Sequence, residues 1–345
     1  MQSSTSRERA SSPGMLRRVL SFLAVTLLCL LLILLGVVWV LERGPSPTVT
    51  GMFCRSVRET SAIRWVSNIF LSEEELEPYI TIAAAPSEET AVNTNLIHFS
   101  DSQSQETESL ELIDIAEGTC KGKLLIVHDP RQVILGTADN LGSAPGLPLT
   151  EMVEKYQAVA GINAGGFEDE GGRGNGSKPT GLVISDGVIL WGDSSQRYHV
   201  IGLDREGILH VGPMTGQEAL DAGLRWAVSF VTHDGLASAL IINGEIQQQN
   251  LGGGINPRTA LGQRADGALL LLVLDGRSIG TLGATMEDVC SIMLEYGAVN
   301  AGNLDGGSSS TMVYEGETVN NSSSIVGPRK LPTAFLVMTG GAGNE

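Results

Sequence analysis

Residues 256–277 read NPRTALGQRADGALLLLVLDGR. Two runs of strand length, RTALGQ and ALLLLVLDG, flank Asp266-Gly267, a dipeptide suited to a tight hairpin turn. In a hairpin the start of one strand and the end of its partner share a rim, so Arg258 should neighbour the Asp275-Gly276-Arg277 turn. A planar guanidinium offers paired donors that match phosphate oxygens. The alternative for Arg258 is a surface ion pair with Asp275.

The same pattern continues on both sides. From Leu110 onward, LELIDIA, KLLIVHD, QVILGTA, VAGIN, GLVIS, GVILWG, HVIGL, ILHVG, AVSFV, SALIING and TAFLVM all have strand character, and Asp186-Gly187 and Asn243-Gly244 supply further hairpin turns. Three helices interrupt them. TMEDVCSIMLEYGA has Thr285 as N-cap with Asp288 three residues on, and Gly297 to end it. LTEMVEKYQAV is expected to be capped by Thr150, and TGQEALDAG by a Thr215–Glu218 capping box. The 43 glycines favour turns over long helices. The expected fold is α+β: a β-rich mixed-sheet domain over residues 111–340 with a few flanking helices, preceded by a single transmembrane helix.

That helix is Val19–Leu41, which carries no charge and is long enough to cross a bilayer. Arg17 and Arg18 precede it, so the positive-inside rule keeps residues 1–18 cytoplasmic and exports the remainder. A cleaved signal peptide is the rival reading, but the apolar core is long for one and no A-x-A site follows. Residues 42–110 divide into a segment with helix-like apolar spacing (51–78) and an acidic linker (81–108). The first could lie on the bilayer, form a stalk or pack on the main domain.

A net charge of −17 argues against nucleic acid as a partner. Cys54 and Cys120 could pair outside the cytoplasm. Neither the cysteines nor the scattered histidines show metal-ligand spacing, and no nucleophile elbow is present. No cofactor is implied, and Ca²⁺ or Mg²⁺ on the acidic loops is left open.

Two more glycine-rich clusters bear on chemistry. GINAGGFEDEGG (161–172) puts Asn163 at a strand end ahead of Gly165 and Gly166, where backbone N–H groups can approach a ligand. NLDGGSSSTMV (303–313) surrounds Asp305 with Gly306, Gly307, Ser308, Ser309 and Thr311, donors that can hold a carboxylate ionised or stabilise a nearby anion. Both also read as plain turns, the second as an Asx-turn.

Taken together, VAGINAGGF…PTGLVISDG, NPRTALGQRADGALLLLVLDGR and LDGGSSSTMV, with VNNSS…R…P downstream, resemble the phosphodiester glycosidase family over about residues 111–340. Asn256-Pro257-Arg258-Thr259, Asp275-Gly276-Arg277 and Asn303-Leu304-Asp305-Gly306-Gly307 match its motifs. Ser308 and Ala164 stand where the family usually has glycine. The anchor and linker look like those of bacterial members linked to exopolysaccharide biosynthesis.

The resemblance implies hydrolysis of a sugar-1-phosphodiester, soluble or part of a cell-envelope polymer. Arg258 and Arg277 would bind the phosphate. Asp305 would serve as nucleophile or base, with Asp275 or Asp169 as second carboxylate. Asn163, Asn256, Asn303, Gly165, Gly166, Gly306, Gly307, Ser308, Ser309 and Thr311 would hold the substrate. The alternative is a non-catalytic glycan-binding or assembly factor, which would not need convergent carboxylates. Cleavage at P–O instead of C–O would call for metal ligands that the sequence does not display.

Overall fold

The computed structural model describes residues 13–58, 63–80, 91–99, 110–169, 174–230, 238–247, 254–278, 280–321 and 327–340. The expected tail at 1–12 and much of the acidic linker lie outside these residues. The main domain is β-rich α+β, with three sheets and a few helices.

The first sheet orders its strands Leu110–Glu117, Cys120–Val127, Leu269–Leu274, Arg258–Arg264, Ala298–Asn303, Ala239–Ile242 and Glu245–Ile246. The second runs Glu317–Thr318, Met312–Tyr314, Ala158–Asn163, Thr333–Met338 and Val133–Thr137. The third runs Val188–Trp191, Val183–Ser185, Leu224–Ser229, Arg197–Asp204 and Leu209–Thr215. Every strand pair among the described residues is antiparallel.

The leucine run at 269–274 shows how the layers form. Alternate side chains point to opposite faces of a strand. Leu269, Leu271 and Val273 enter a core shared by all three sheets. Leu270, Leu272 and Leu274 enter a second core under the helix Met286–Glu295. Each of the other sheets likewise carries one helix: Leu149–Tyr156 covers the second and Gly216–Asp221 the third. Buried Gln263 ties the first sheet to the third, accepting from the Leu209 N–H at 2.7 Å and donating to the Gly207 carbonyl at 2.8 Å.

Both threonine capping boxes form as expected, at Thr215–Glu218 and Thr285–Asp288. Thr150 is not a cap. Pro148 precedes the first helical residue, Leu149, and its carbonyl accepts the Met152 N–H at 3.0 Å. The N-cap position therefore falls on Pro148, which has no capping side chain, and Thr150 is the second helical residue. Cys54 and Cys120 are both free thiols buried in different places, which rules out their pairing in this structure. Cys54 lies in a small helical core with Leu71 and Leu76, and the Cys120 thiol faces the Gly283 carbonyl.

Upstream, the apolar block forms part of a helix spanning Pro13–Arg43, whose side chains are almost all exposed. Its length and composition suffice to cross a membrane. The segment after it is not one amphipathic helix. It folds into Pro47–Arg58, a 3₁₀ turn at Arg64–Asn68 and Glu73–Ile80, packed on one another. Part of the expected linker is also tied down. The His98 N–H donates to the Ala265 carbonyl at 2.7 Å and the Asn93 N–H to Asn243 Oδ1 at 2.7 Å.

Candidate active site

The three glycine-rich clusters converge where the first and second sheets meet. Asn163, the last residue of its strand, is the joint. Its Nδ2 donates to the Asp305 carbonyl at 2.6 Å. Its Oδ1 accepts from the Thr259 hydroxyl at 2.8 Å and from the Thr311 N–H at 3.1 Å. One buried amide therefore holds the NPRT segment and both sides of the NLDGGSSST turn. With three of its hydrogen-bonding sites engaged internally, Asn163 positions the site more than it offers donors to a sugar.

The turn carrying Asp305 is anchored by backbone. The Asp305 N–H donates to the Ala164 carbonyl, and that of Gly307 to the Pro257 carbonyl, both at 3.0 Å. Gly307 has φ of +62°, a left-handed conformation that side chains disfavour. A Cβ at Gly306 would sit 3.0 Å from the Pro257 oxygen, a tight contact that a side chain there could keep only if the neighbouring backbone gave way slightly. Ser308, the departure from the family's third glycine, is the middle residue of the 3₁₀ turn Gly307–Ser309 and has no positive φ.

Asp305 keeps some contact with solvent, yet the protein crowded around it desolvates the carboxyl. That burial is the main reason its pKa rises to about 7. The Ser309 hydroxyl opposes the rise, the Asp169 carboxylate adds to it by repulsion, and Arg329 and the Gly306 N–H oppose it. The Asx-turn that the sequence also allowed is not formed with the residue two on, because the Gly307 N–H donates to the Pro257 carbonyl. Asp169 in turn accepts from the Gly174 N–H and pairs with Arg329 Nη2 at 2.7 Å. Arg329 is buried, with its guanidinium 5.4 Å from the Phe167 ring centroid. Two carboxyls and one guanidinium thus share a neighbourhood: Asp305, Asp169 and Arg329.

Arg258 and the 275–277 turn lie on the adjacent rim. Arg258 pairs with Leu274 across the hairpin, as the turn geometry predicted. Its guanidinium donates to the carbonyls of Ala284, at 3.2 Å, and Gly254. Arg277 donates to the Ile255 carbonyl at 2.6 Å. Both arginines therefore brace the loop that enters the NPRT strand. Asp275 is buried and accepts from the Asn321 N–H at 2.9 Å and from its Nδ2 at 3.1 Å, which pins the VNN segment.

The remaining expected residues also hold the frame. Asn256 forms a bridge with Ala284, the Gly165 N–H donates to the Thr333 hydroxyl at 3.1 Å, and the Gly166 carbonyl accepts from the Thr180 N–H at 2.9 Å. Among the described residues, Asn303 Oδ1 and Ser310 Oγ are buried polar atoms without a hydrogen-bond partner. Arg329 received no role from the sequence. Its only signal was its place as the arginine of the downstream R…P pattern, Arg329-Lys330-Leu331-Pro332. Among the described residues, no three His, Cys, Asp or Glu side chains cluster as a metal site.

A Bacillus subtilis (strain 168) protein, SPbeta prophage-derived uncharacterized protein YomE, is 30% identical over 203 residues, 56% of this chain and 30% of that one. The N-acetylglucosamine-1-phosphodiester alpha-N-acetylglucosaminidase of Bos taurus is 29% identical over 149 residues, 39% of this chain and 28% of that one. The chain thus spans under a third of the length of these relatives. The solved catalytic domain of the zebrafish enzyme of that name, auto-inhibited by its pro-peptide, shares the fold at a TM-score of 0.55 and 22% identity. That match covers 70% of this chain and 87% of the zebrafish domain. Residues 156–338, more than half of the chain and the part that holds Asn163, Asp169, Asp305 and Arg329, match the family model for phosphodiester glycosidase. The chain belongs to the phosphodiester glycosidase family.

Proposed function

We propose that the chain hydrolyses the C1–O bond of a sugar-1-phosphodiester outside the cytoplasm, with Asp305 as the proton-handling group. The observation that carries this reading is the contrast between two neighbouring carboxyls. Burial raises Asp305 to a pKa of about 7, whereas Asp169 is held in an ion pair with Arg329. Two carboxyl groups in different environments are what glycoside hydrolysis requires. A group with pKa near ambient pH can accept a proton from water and release it within one cycle.

The leaving group is a phosphate ester, already stable as an anion, so charge stabilisation matters more than protonation. Arg329, buried beside both carboxyls, is the cation best placed to meet the departing phosphate. Arg258 and Arg277 act behind it by fixing the 254–257 loop. The helix at Pro13–Arg43 would anchor the enzyme, and Arg17 and Arg18 at its start support a cytoplasmic N-terminus.

The test is release of reducing sugar from a sugar-1-phosphodiester by the purified full chain. Asp305→Asn is expected to lower kcat by roughly 10²–10⁴-fold, as for loss of a general acid–base group. Arg329→Gln is expected to raise KM for the phosphodiester. Full turnover by Asp305→Asn would refute the assignment.

A further inference from the structure

The helical unit between the apolar helix and the sheets touches both. At its membrane end, the Phe70 N–H donates to the Glu42 carboxylate at 2.8 Å, and Arg43 grips the Phe70 carbonyl at 2.7 and 3.0 Å. Arg43 also pairs with Glu75 at 2.6 Å. These contacts fix the unit to the last turn of the apolar helix. At its other end, Ser56 Oγ accepts the Ile255 N–H at 2.8 Å. A Cβ on Gly254 would collide with Ser56, so the two segments are in close contact.

Ile255 belongs to the loop that Arg258 and Arg277 brace. Two residues on, the Pro257 carbonyl holds the Gly307 N–H beside Asp305. A continuous set of contacts therefore runs from Glu42 and Arg43 through the helical unit to the carboxyl turn. Three linking residues and the helix up to Ser56 keep Ser56, which touches the braced loop, at most about 28 Å from Arg43.

The same unit exposes Ile63, Arg64 and Trp65 in succession, with Trp65 66% exposed. A tryptophan with a flanking aliphatic side chain and a cation suits the headgroup region of a bilayer. Five residues later Phe70 is fastened to the end of the apolar helix, so Trp65 stays within about 18 Å of that contact. Continuity with an apolar helix of membrane-spanning length makes a lipid surface the occupant that fits this exposed trio.

We infer that this unit rests on the bilayer through Ile63, Arg64 and Trp65 and holds the site at the headgroup level, so that its substrate is a sugar joined through phosphate to a membrane lipid. The inference rests on the glycosidase reading above. In the reaction, water adds its oxygen to C1 and the C1–O bond breaks. The sugar leaves as a hemiacetal, and the lipid phosphate keeps the bridging oxygen as a monoester, to which Asp305 passes on the proton it takes from the water.

The experiment uses the full chain in lipid nanodiscs with two substrates that carry the same sugar, a polyprenyl phosphosugar in the same bilayer and a soluble alkyl phosphosugar. Wild type should favour the lipid-linked substrate in kcat/KM by tenfold or more. Trp65→Ser should reduce turnover of that substrate at least threefold and leave the soluble one unchanged. Ser56→Ala, which frees the braced loop, should lower kcat on both. Equal use of both substrates with no effect of Trp65→Ser would overturn the inference and leave the glycosidase reading intact. Release of sugar from neither substrate by wild type would overturn both.

Discussion

Asp305 reconciles two demands through one side chain. Its ordinary pKa is 3.8, and burial lifts it to about 7 in the folded chain. Below pH 3.8 the carboxyl is protonated in both states and does not discriminate between them. As pH rises from there, the unfolded chain ionises first, so folding stability falls until about pH 7 and the deficit then persists. Replacing Asp305 by Asn removes that deficit. The variant should therefore melt above wild type at pH 8, and scanning calorimetry should show the gap close near pH 4. Where Asp305 acts as base, wild-type kcat should rise through about pH 7. Asn163 makes the opposite case. Asn163→Ala would leave the Thr311 N–H, the Thr259 hydroxyl and the Asp305 carbonyl without their partner. We expect a loss of about 3 kcal/mol in chemical denaturation.

At the scale of elements, legibility followed range. The hairpin at 258–274 could be read because its turn and both strands are adjacent in sequence, and so could the helix Met286–Glu295, whose N-terminus Thr285 and Asp288 mark. Thr285→Ala should cost about 1 kcal/mol, measured by thermal melting, as for loss of a capping residue. The leucine run was legible as a strand but not as one buried on both faces, because burial depends on what packs above and below. Leu271→Ala, within the shared core, should cost roughly 2–5 kcal/mol. The site was legible in part. Asp305, Asp169 and Asn163 stood out as polar residues in glycine-rich turns. The cation beside them did not, since the sequence pointed to Arg258 and Arg277 and gave Arg329 no role. Only the folded chain turns Arg258 toward backbone carbonyls and sets Arg329 beside the carboxyls. Likewise, Asn163 is separated from its partners by long stretches of sequence, and no local pattern reports that its amide is engaged by them.

For the whole molecule, two sheets contribute to the site and neither is sufficient. The carboxyl turn follows a strand of the first sheet and leads into one of the second, and the Asn163 amide stitches the two together beside it. The chain carries a formal charge of −17, so an anionic substrate approaches against a net repulsive field before it reaches a buried cation such as Arg329. Raised ionic strength should screen that repulsion and lower KM for a soluble phosphodiester, a trend that steady-state kinetics from 20 to 200 mM salt can read. The shared amide has a further consequence for heat. A catalytic centre on a peripheral loop can lose its shape while the scaffold survives, but a seam cannot open without parting the layers it joins. Inactivation on warming should therefore coincide with collapse of the β-sheet circular dichroism signal, leaving no temperature at which the protein is folded yet inert.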